Sequence, residues 1–152
     1  DPLSEGEAKE LNAILRAVDD VERIADHLTN VMEKVDAKIS EKVEFSEYAW
    51  RDLTNLKDLI DRNIKDSFDM IKDSNLSYLD DILKREDLVD YKVKESKENH
   101  IERMKKGLCN PVAGIIFSDL LIDLERISDH CVNIAQEFYE VNNIRRREKA
   151  LV

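Results

Sequence analysis

Residues 11–39, which read LNAILRAVDDVERIADHLTNVMEKVDAKI, decide the fold. Apolar side chains recur in this stretch at alternating steps of three and four, a spacing that places them on one face of an α-helix. Residues 113–141 repeat the pattern, so we expect a second long helix there. The two apolar series are Leu11, Ile14, Val18, Val21, Ala25, Leu28, Met32, Val35 and Ile39, and Ala113, Phe117, Leu120, Leu124, Ile127, Cys131, Ile134, Phe138 and Val141.

The composition of the whole chain agrees with a few long helices. Only 3 of its 152 residues are glycine and 2 are proline, which disfavours an all-β or loop-rich fold. The net charge of −10 makes nucleic acid and anionic lipid poor partners. No apolar run approaches the roughly 20 residues that cross a bilayer, so we expect no direct membrane insertion of this segment. Cys109 and Cys131 lack the spacing of a disulfide framework or a CxxC motif and are predicted to be reduced thiols.

Four helices account for nearly the whole sequence, at about residues 5–39, 46–73, 76–106 and 111–142. The connections between them are short, so consecutive helices should run antiparallel. We therefore predict an all-α fold, an antiparallel up-down-up-down four-helix bundle that forms a single domain over residues 1–152. The first and fourth helices should lie side by side.

The first and fourth helices share an eleven-residue pattern, D-x-E-R-I-x-D-H-x-x-N, at residues 20–30 and 123–133. Two gapless copies in one chain indicate an internal duplication. In the first copy Glu22 and Asp26 are four residues apart, as are Glu125 and Asp129 in the second, so each pair lies on one helix face. Like charges at that spacing destabilise a helix by roughly 0.2–0.5 kcal/mol, and a bound cation would offset the repulsion.

The third helix offers another acid pair, Glu86 and Asp90. Glu86 lies on the inner stripe of that helix, where a carboxylate needs a partner. Because the third and fourth helices should be neighbours, we expect these two acids to converge with Glu125 and Asp129 on one metal site. Oxygen ligands at this spacing suit Fe, Mn, Mg and Zn.

Simpler interpretations stay open. Charged helix flanks are usually solvated or paired with Lys and Arg on adjacent helices, without any metal. His27 and His130 also lie on flanks, where a surface role is commoner than metal ligation. His100 falls on the inner stripe of the third helix and is predicted to be packed and hydrogen-bonded, while Cys131 is read as a small core hydrophobe.

No enzyme motif is present in the sequence. It lacks a glycine-rich phosphate loop, a nucleophile elbow, an HExxH motif and the Glu-x-x-His spacing of di-iron bundles. The pattern therefore favours cation binding or docking over catalysis, and we expect no enzyme.

The repeated E-R-I-x-D-H motif resembles the PhoU family of all-helical regulators of phosphate uptake. A second stretch, formed by residues 100–103, 107–117, 119–121 and 124–127, is similar to the C-terminal PhoU-like domain of bacterial sodium/phosphate cotransporters. The resemblance implies a regulatory domain on the cytoplasmic side of the bacterial inner membrane. Its partner would be the membrane-embedded region of the same polypeptide or a phosphate transport system.

The resemblance also implies metal binding, since acidic E/D-x-x-x-D motifs of the family can hold multinuclear iron or zinc clusters. The matching positions are Glu22 with Asp26, Glu125 with Asp129 and, more loosely, Glu86 with Asp90, so an Fe, Zn or Mn cluster is the expected cofactor.

A full domain of this family has two three-helix repeats, and this chain resembles the last four helices. The site at Glu22 and Asp26 would thus lack a partner helix, and the exposed flank of the first helix favours a homodimer. Two alternatives remain: a fragment of a stand-alone PhoU regulator of an ATP-driven phosphate importer, and a metal-free helical docking adaptor.

Overall fold

The computed structural model describes residues 2–150 of the chain, so Asp1, Leu151 and Val152 of the predicted domain lie outside the described residues. The described residues form four helices and no strand, as the all-α prediction requires. The helices are α1 (Glu5–Ser40), α2 (Glu47–Lys72), α3 (Tyr78–Lys105) and α4 (Pro111–Ala150). α4 continues past residue 142, where the apolar pattern had placed its end.

Local sequence signals start the first two helices. The Ser4 hydroxyl accepts a hydrogen bond from the Glu7 N–H at 3.2 Å, and the Glu7 carboxylate accepts from the Ser4 N–H at 2.8 Å. This reciprocal pair is a capping box. At α2 the Ser46 hydroxyl accepts from the Ala49 N–H at 3.2 Å. The Phe45 and Trp50 rings then pack edge to face at 5.4 Å across that cap, which fixes the entry angle of the helix.

Helices α2, α3 and α4 pack against one another around a shared core. Its centre is formed by side chains that are at most 1 % exposed, among them Leu56, Val89 and Phe117. The predicted inner face of α4 is confirmed, since its apolar series is buried or half-buried along the whole helix. This three-helix unit is the part of the molecule that positions the acids of α3 and α4.

Helix α1 is packed differently. Its backbone closely approaches that of α4 alone among the other helices, and the two run antiparallel as predicted. Only Ala13 and Ile24 of α1 are fully buried. The expectation that its apolar series faces a core is wrong for the described residues, because Val18 is 58 % exposed and Met32 is 70 % exposed. The stripe lies beside the α4 contact, on the wall of an open groove between α1 and α2.

Among residues 2–150, no helix is both long and apolar enough to span a bilayer.

Candidate metal centre

Three carboxylates from two helices converge in the three-helix unit. Glu86 and Asp90 lie one turn apart on α3, and Asp129 faces them from α4. One ligand oxygen from each lies within 4.8 Å of the other two, which is close enough for a single cation to touch all three. Glu86 and Asp129 are half-buried and Asp90 is exposed, so the cluster opens to solvent on one side.

In this cluster the pKa values of Glu86 and Asp90 are raised above those of ordinary carboxyl groups. Burial is the main cause that raises the pKa of Glu86 to about 8, and the carboxylates of Asp129 and Asp90 add to it. Burial likewise raises the pKa of Asp90, with the charges of Asp129 and Glu125 as further causes. Like charges held together in a partly desolvated place favour a proton or a cation between them. The cluster is thus poised to exchange one for the other.

Glu125, the fourth predicted ligand, lies at the edge of the cluster. It is one turn before Asp129 on α4, and its carboxylate is paired with the ammonium of Lys97 at 3.4 Å. Arg126 approaches Asp129 at a longer 3.8 Å. Lys97 is half-buried and Arg126 is exposed, and pairs this accessible to solvent are weak. Glu125 therefore contributes negative potential to the cluster as it stands, and would become a ligand only after leaving Lys97.

Glu22 and Asp26 occupy the equivalent positions of the first repeat but have no such surroundings. Both are exposed on α1, and among the described residues no third acid joins them. The structure thus brings together the acids of α3 and α4 and leaves the pair on α1 facing solvent. The difference arises because α4 has α3 as a neighbour on its acidic flank, whereas α1 has no equivalent helix among the described residues.

The remaining polar positions of the repeat join α1 to α4. Asp20 accepts hydrogen bonds from His130 at 2.7 Å and Asn133 at 3.1 Å. Asp123 accepts reciprocally from His27 at 2.8 Å and from Asn30 at 3.4 Å. We call these six residues the α1–α4 clasp.

The two imidazoles of the clasp stack with ring centroids 5.8 Å apart, so both copies of the motif meet at one point. Lys34 adds a third donor to Asp123 at 2.6 Å. Burial alone would raise the pKa of Asp123, but the hydrogen bonds from Lys34 and His27 overcome it and lower that pKa. Asp123 is therefore a buried carboxylate that keeps its charge in the fold.

Sequence reasoning missed the role of Asp20 and Asp123 in this clasp. It read His27 and His130 as flank residues without a partner, whereas each contacts an aspartate of the other helix. The signal was available, because an acid, a histidine and an asparagine recur at fixed positions in two helices predicted to be antiparallel neighbours. Cys131 is fully buried, as predicted. His100 is packed as predicted, at 5 % exposed, but its predicted hydrogen bonding is reduced to a long contact between Nδ1 and the Cys109 sulfur at 4.0 Å.

The donor set of the α3–α4 cluster fits a metal ion. Carboxylate oxygens are the ligands that hard cations prefer, and a cation would offset the repulsion that raises the pKa of Glu86. Glu86, Asp90 and Asp129 would supply one oxygen each, with solvent completing the shell on the open side. The histidines of the clasp are committed to Asp20 and Asp123 and lie outside this donor set.

Comparison with known proteins agrees with this helical architecture. The PhoU domain model matches residues 53–138, which run from α2 through most of α4. A "Phosphate-specific transport system accessory protein PhoU homolog 1" of Thermotoga maritima is 28 % identical over 127 residues, covering 82 % of this chain and 53 % of its own. A "Phosphate-specific transport system accessory protein PhoU homolog" of Borreliella burgdorferi is 28 % identical over 137 residues, covering 88 % of this chain and 60 % of its own.

The chain thus spans little more than half the length of these curated relatives. No solved structure matches it. The matched region nevertheless covers more than half of the chain and includes the whole three-helix unit except the start of α2 and the end of α4. This chain belongs to the PhoU family.

Proposed function

We propose that the chain is part of an accessory regulator of a phosphate transport system and that its α3–α4 acids bind a metal cation. The observation that carries the metal site is the convergence of Glu86, Asp90 and Asp129 from two helices. The regulatory role is supported by family membership and by the two relatives, which are named as accessory proteins of phosphate-specific transport systems.

The accessory-protein reading replaces the transporter domain as our leading proposal. Both named relatives are accessory proteins, which favours the alternative of a stand-alone PhoU regulator. That the chain is the cytoplasmic domain of a sodium/phosphate cotransporter stays a prediction, as does a homodimer. A regulatory role also agrees with the expectation of no enzyme, since the relatives carry the names of accessory proteins.

A cation at this cluster would act as a bond between α3 and α4. It would replace the proton of Glu86 and tie the middle of both helices together, which stiffens the three-helix unit. Fe, Zn and Mn are the candidate ions, and hard oxygen donors suit Fe and Mn best. We infer that metal binding alters the contact between this three-helix unit and the transport system.

The first test is elemental analysis of tag-free protein purified without chelator, and of protein loaded anaerobically with Fe, Mn or Zn. The test variant is Glu86→Gln with Asp129→Asn, and the matched control is Glu22→Gln with Asp26→Asn. Both variants replace two carboxyl groups by carboxamides of the same shape on acidic helix faces. We expect stoichiometric metal in the wild type and in the control, and its loss in the α3–α4 variant.

Metal that survives in the α3–α4 variant, or no metal in the loaded wild type, would contradict the site and favour the metal-free docking adaptor. The regulatory part is tested separately by uptake of radiolabelled phosphate in the source organism. Deleting the gene should alter uptake, and restoring the α3–α4 variant should fail to correct it while the control succeeds. Unchanged uptake after deletion would contradict the regulatory proposal.

A further inference from the structure

A second site candidate lies at the far end of the three-helix unit from the helix α2–α3 turn. A cavity of about 200 Å³ opens where α3 ends, α4 begins and the α1–α2 connection crosses them. Its walls include Ser46, His100, Arg103, Cys109, Asn110 and Phe117. Most of these residues come from the second stretch singled out in the sequence, residues 100–117, which neither the clasp nor the metal centre uses.

Arg103 is the first observation that calls for a ligand. Its Nε and Nη2 atoms are buried and have no hydrogen-bond partner among the described residues. The guanidinium lies 5.9 Å from the centre of the Phe117 ring, and this cation–π contact satisfies the charge only in part. Buried donors left unpaired are costly and rare, so their presence beside a cavity indicates that something else accepts from them.

His100 is the second observation. Only 5 % of it is exposed, and its Nδ1 makes only a long contact with the Cys109 sulfur, at 4.0 Å, among the described residues. Its Nε2 has no hydrogen-bond partner among residues 2–150. The ring fits because residue 114 is glycine: a Cβ there would come within 2.8 Å of the imidazole. Burial and the nearby Arg103 lower the pKa of His100, so near pH 7 it is neutral and offers one N–H donor.

Two helix starts add positive potential at the same place. Ser46 caps α2, and Asn110 caps α4 by accepting from the Val112 N–H at 2.8 Å. Both caps line the cavity, so the positive ends of both helix dipoles face it. Their contribution is secondary, because the caps already occupy several of the free N–H groups. It has the same sign as the charge of Arg103.

The local charge balance is opposite to that of the chain as a whole. Glu44, the one acid on the cavity wall, is paired with Lys38 at 3.0 Å. An adjoining groove carries Arg51 and Lys106 next to Arg103. It also carries the acids Asp52 and Glu102, of which Glu102 is paired with Lys105. A chain with a net charge of −10 therefore holds a cationic, donor-rich cavity at one end.

We propose that this cavity binds a small tetrahedral oxyanion of the phosphate class. Arg103 would donate from two nitrogens, His100 from one, and the starts of α2 and α4 would favour the negative charge. The proposal goes beyond the regulatory function and does not depend on the metal centre, since the two sites share no residue. It would give the regulator a direct contact with the ion whose transport it serves.

Calorimetric titration with inorganic phosphate tests the site at constant ionic strength. Arg103→Gln removes the guanidinium, and Arg62→Gln is the matched control because it removes the same charge from an exposed position on α2. We expect binding by the wild type and the control within twofold of each other, and at least tenfold weaker binding by Arg103→Gln. No binding by the wild type, or equal binding by all three, would overturn the proposal.

Cys109 gives a second readout on the wild-type chain, which decides the matter even if Arg103→Gln fails to fold. Phosphate should slow alkylation of Cys109 by iodoacetamide several-fold, compared with chloride at equal ionic strength. Cys131 is an internal control because it is fully buried and burial raises its pKa to about 12. Equal alkylation rates with and without phosphate would count against the site.

Comparing O-phosphoserine with inorganic phosphate separates two sources of the anion. Weaker binding of the ester supports the free ion as ligand, since the cavity of about 200 Å³ is small. Tighter binding of the ester keeps the oxyanion site and assigns it to a phosphoryl group on a larger molecule.

Discussion

The pKa of the single side chain Glu86 depends on the acids that surround it in the α3–α4 cluster. Its position on the inner stripe of α3 follows from the sequence, but its pKa of about 8 depends on burial and on the acids of α3 and α4 around it. A carboxylate that holds a proton near neutral pH is ready to release it to a cation. The residue therefore couples acidity, metal affinity and helix packing.

A pH prediction follows from that pKa. An ordinary glutamate titrates near 4.5 and Glu86 near 8 in the fold, so between these values the folded state binds more protons than the unfolded state. The stability contributed by this group is therefore present at low pH and lost as the pH rises toward 8. In metal-free protein, the stability of Glu86→Gln relative to wild type should increase by about 1–2 kcal/mol from pH 5 to pH 8, after allowance for solvent screening.

Urea unfolding at both pH values measures this difference. Glu22→Gln is the control, because Glu22 is an exposed acid at the same kind of helix position, and the change measured for Glu86→Gln should exceed the change measured for this variant. Saturating metal should abolish the advantage of Glu86→Gln by stabilising the ionised wild-type cluster. An advantage independent of pH would show that Glu86 is not protonated in the fold.

Among the helices, the α1–α4 contact shows most clearly how the repeated motif contributes to packing. A motif first read for its acids turns out to serve pairing between the two helices that carry it. Asp123 is 4 % exposed and accepts hydrogen bonds from three α1 side chains. Asp123 helps to set the register of α1 against α4, because a shift of either helix by one residue would separate both Asp–His pairs.

Asp123→Asn tests this contact. The substitution keeps the shape of the side chain but removes the charge that faces Lys34 and His27, and we expect a loss of about 1–3 kcal/mol in the free energy of unfolding. Asp119→Asn, an exposed change one turn earlier on the same helix, should cost less than about 0.5 kcal/mol. Equal effects in urea unfolding would mean that the clasp adds no stability.

In the whole molecule, the four helices differ in the number of helices that they pack closely against. α2, α3 and α4 each pack closely against two or more helices, whereas among the described helices the backbone of α1 closely approaches only that of α4. Much of the apolar stripe of α1 is exposed, so this helix buries less apolar surface for its length than its neighbours do. This exposed stripe lines the open groove between α1 and α2.

Hydrogen exchange should show this inequality. Backbone amides of α1 should exchange through a local opening that leaves α2–α4 folded, because α1 buries little apolar surface for its length, with only Ala13 and Ile24 fully buried. Mass spectrometry of peptides from native protein should therefore find protection in α1 at least tenfold below that of the α2 and α4 peptides. α2 is the comparison because it is also amphipathic but packs on two helices. Uniform protection would show that all four helices unfold as one unit.

The sequence by itself determined the helices, their caps, their antiparallel order and the identity of the acids, because periodicity and capping are local properties of the chain. It also predicted that Glu86 and Asp90 would meet Asp129. These inferences needed only helical geometry and the rule that short connections place consecutive helices side by side.

The tertiary structure decided which of the two copies of the motif has further acids facing it from a second helix. Glu22 with Asp26 and Glu125 with Asp129 have the same spacing, yet only the second pair faces α3, since that depends on which helices surround each copy. It also decided that the histidines pair with aspartates across α1 and α4, and that Arg103 and His100 enclose a cavity. Burial and convergence depend on contacts between residues far apart in the chain, which helical spacing along one segment does not encode.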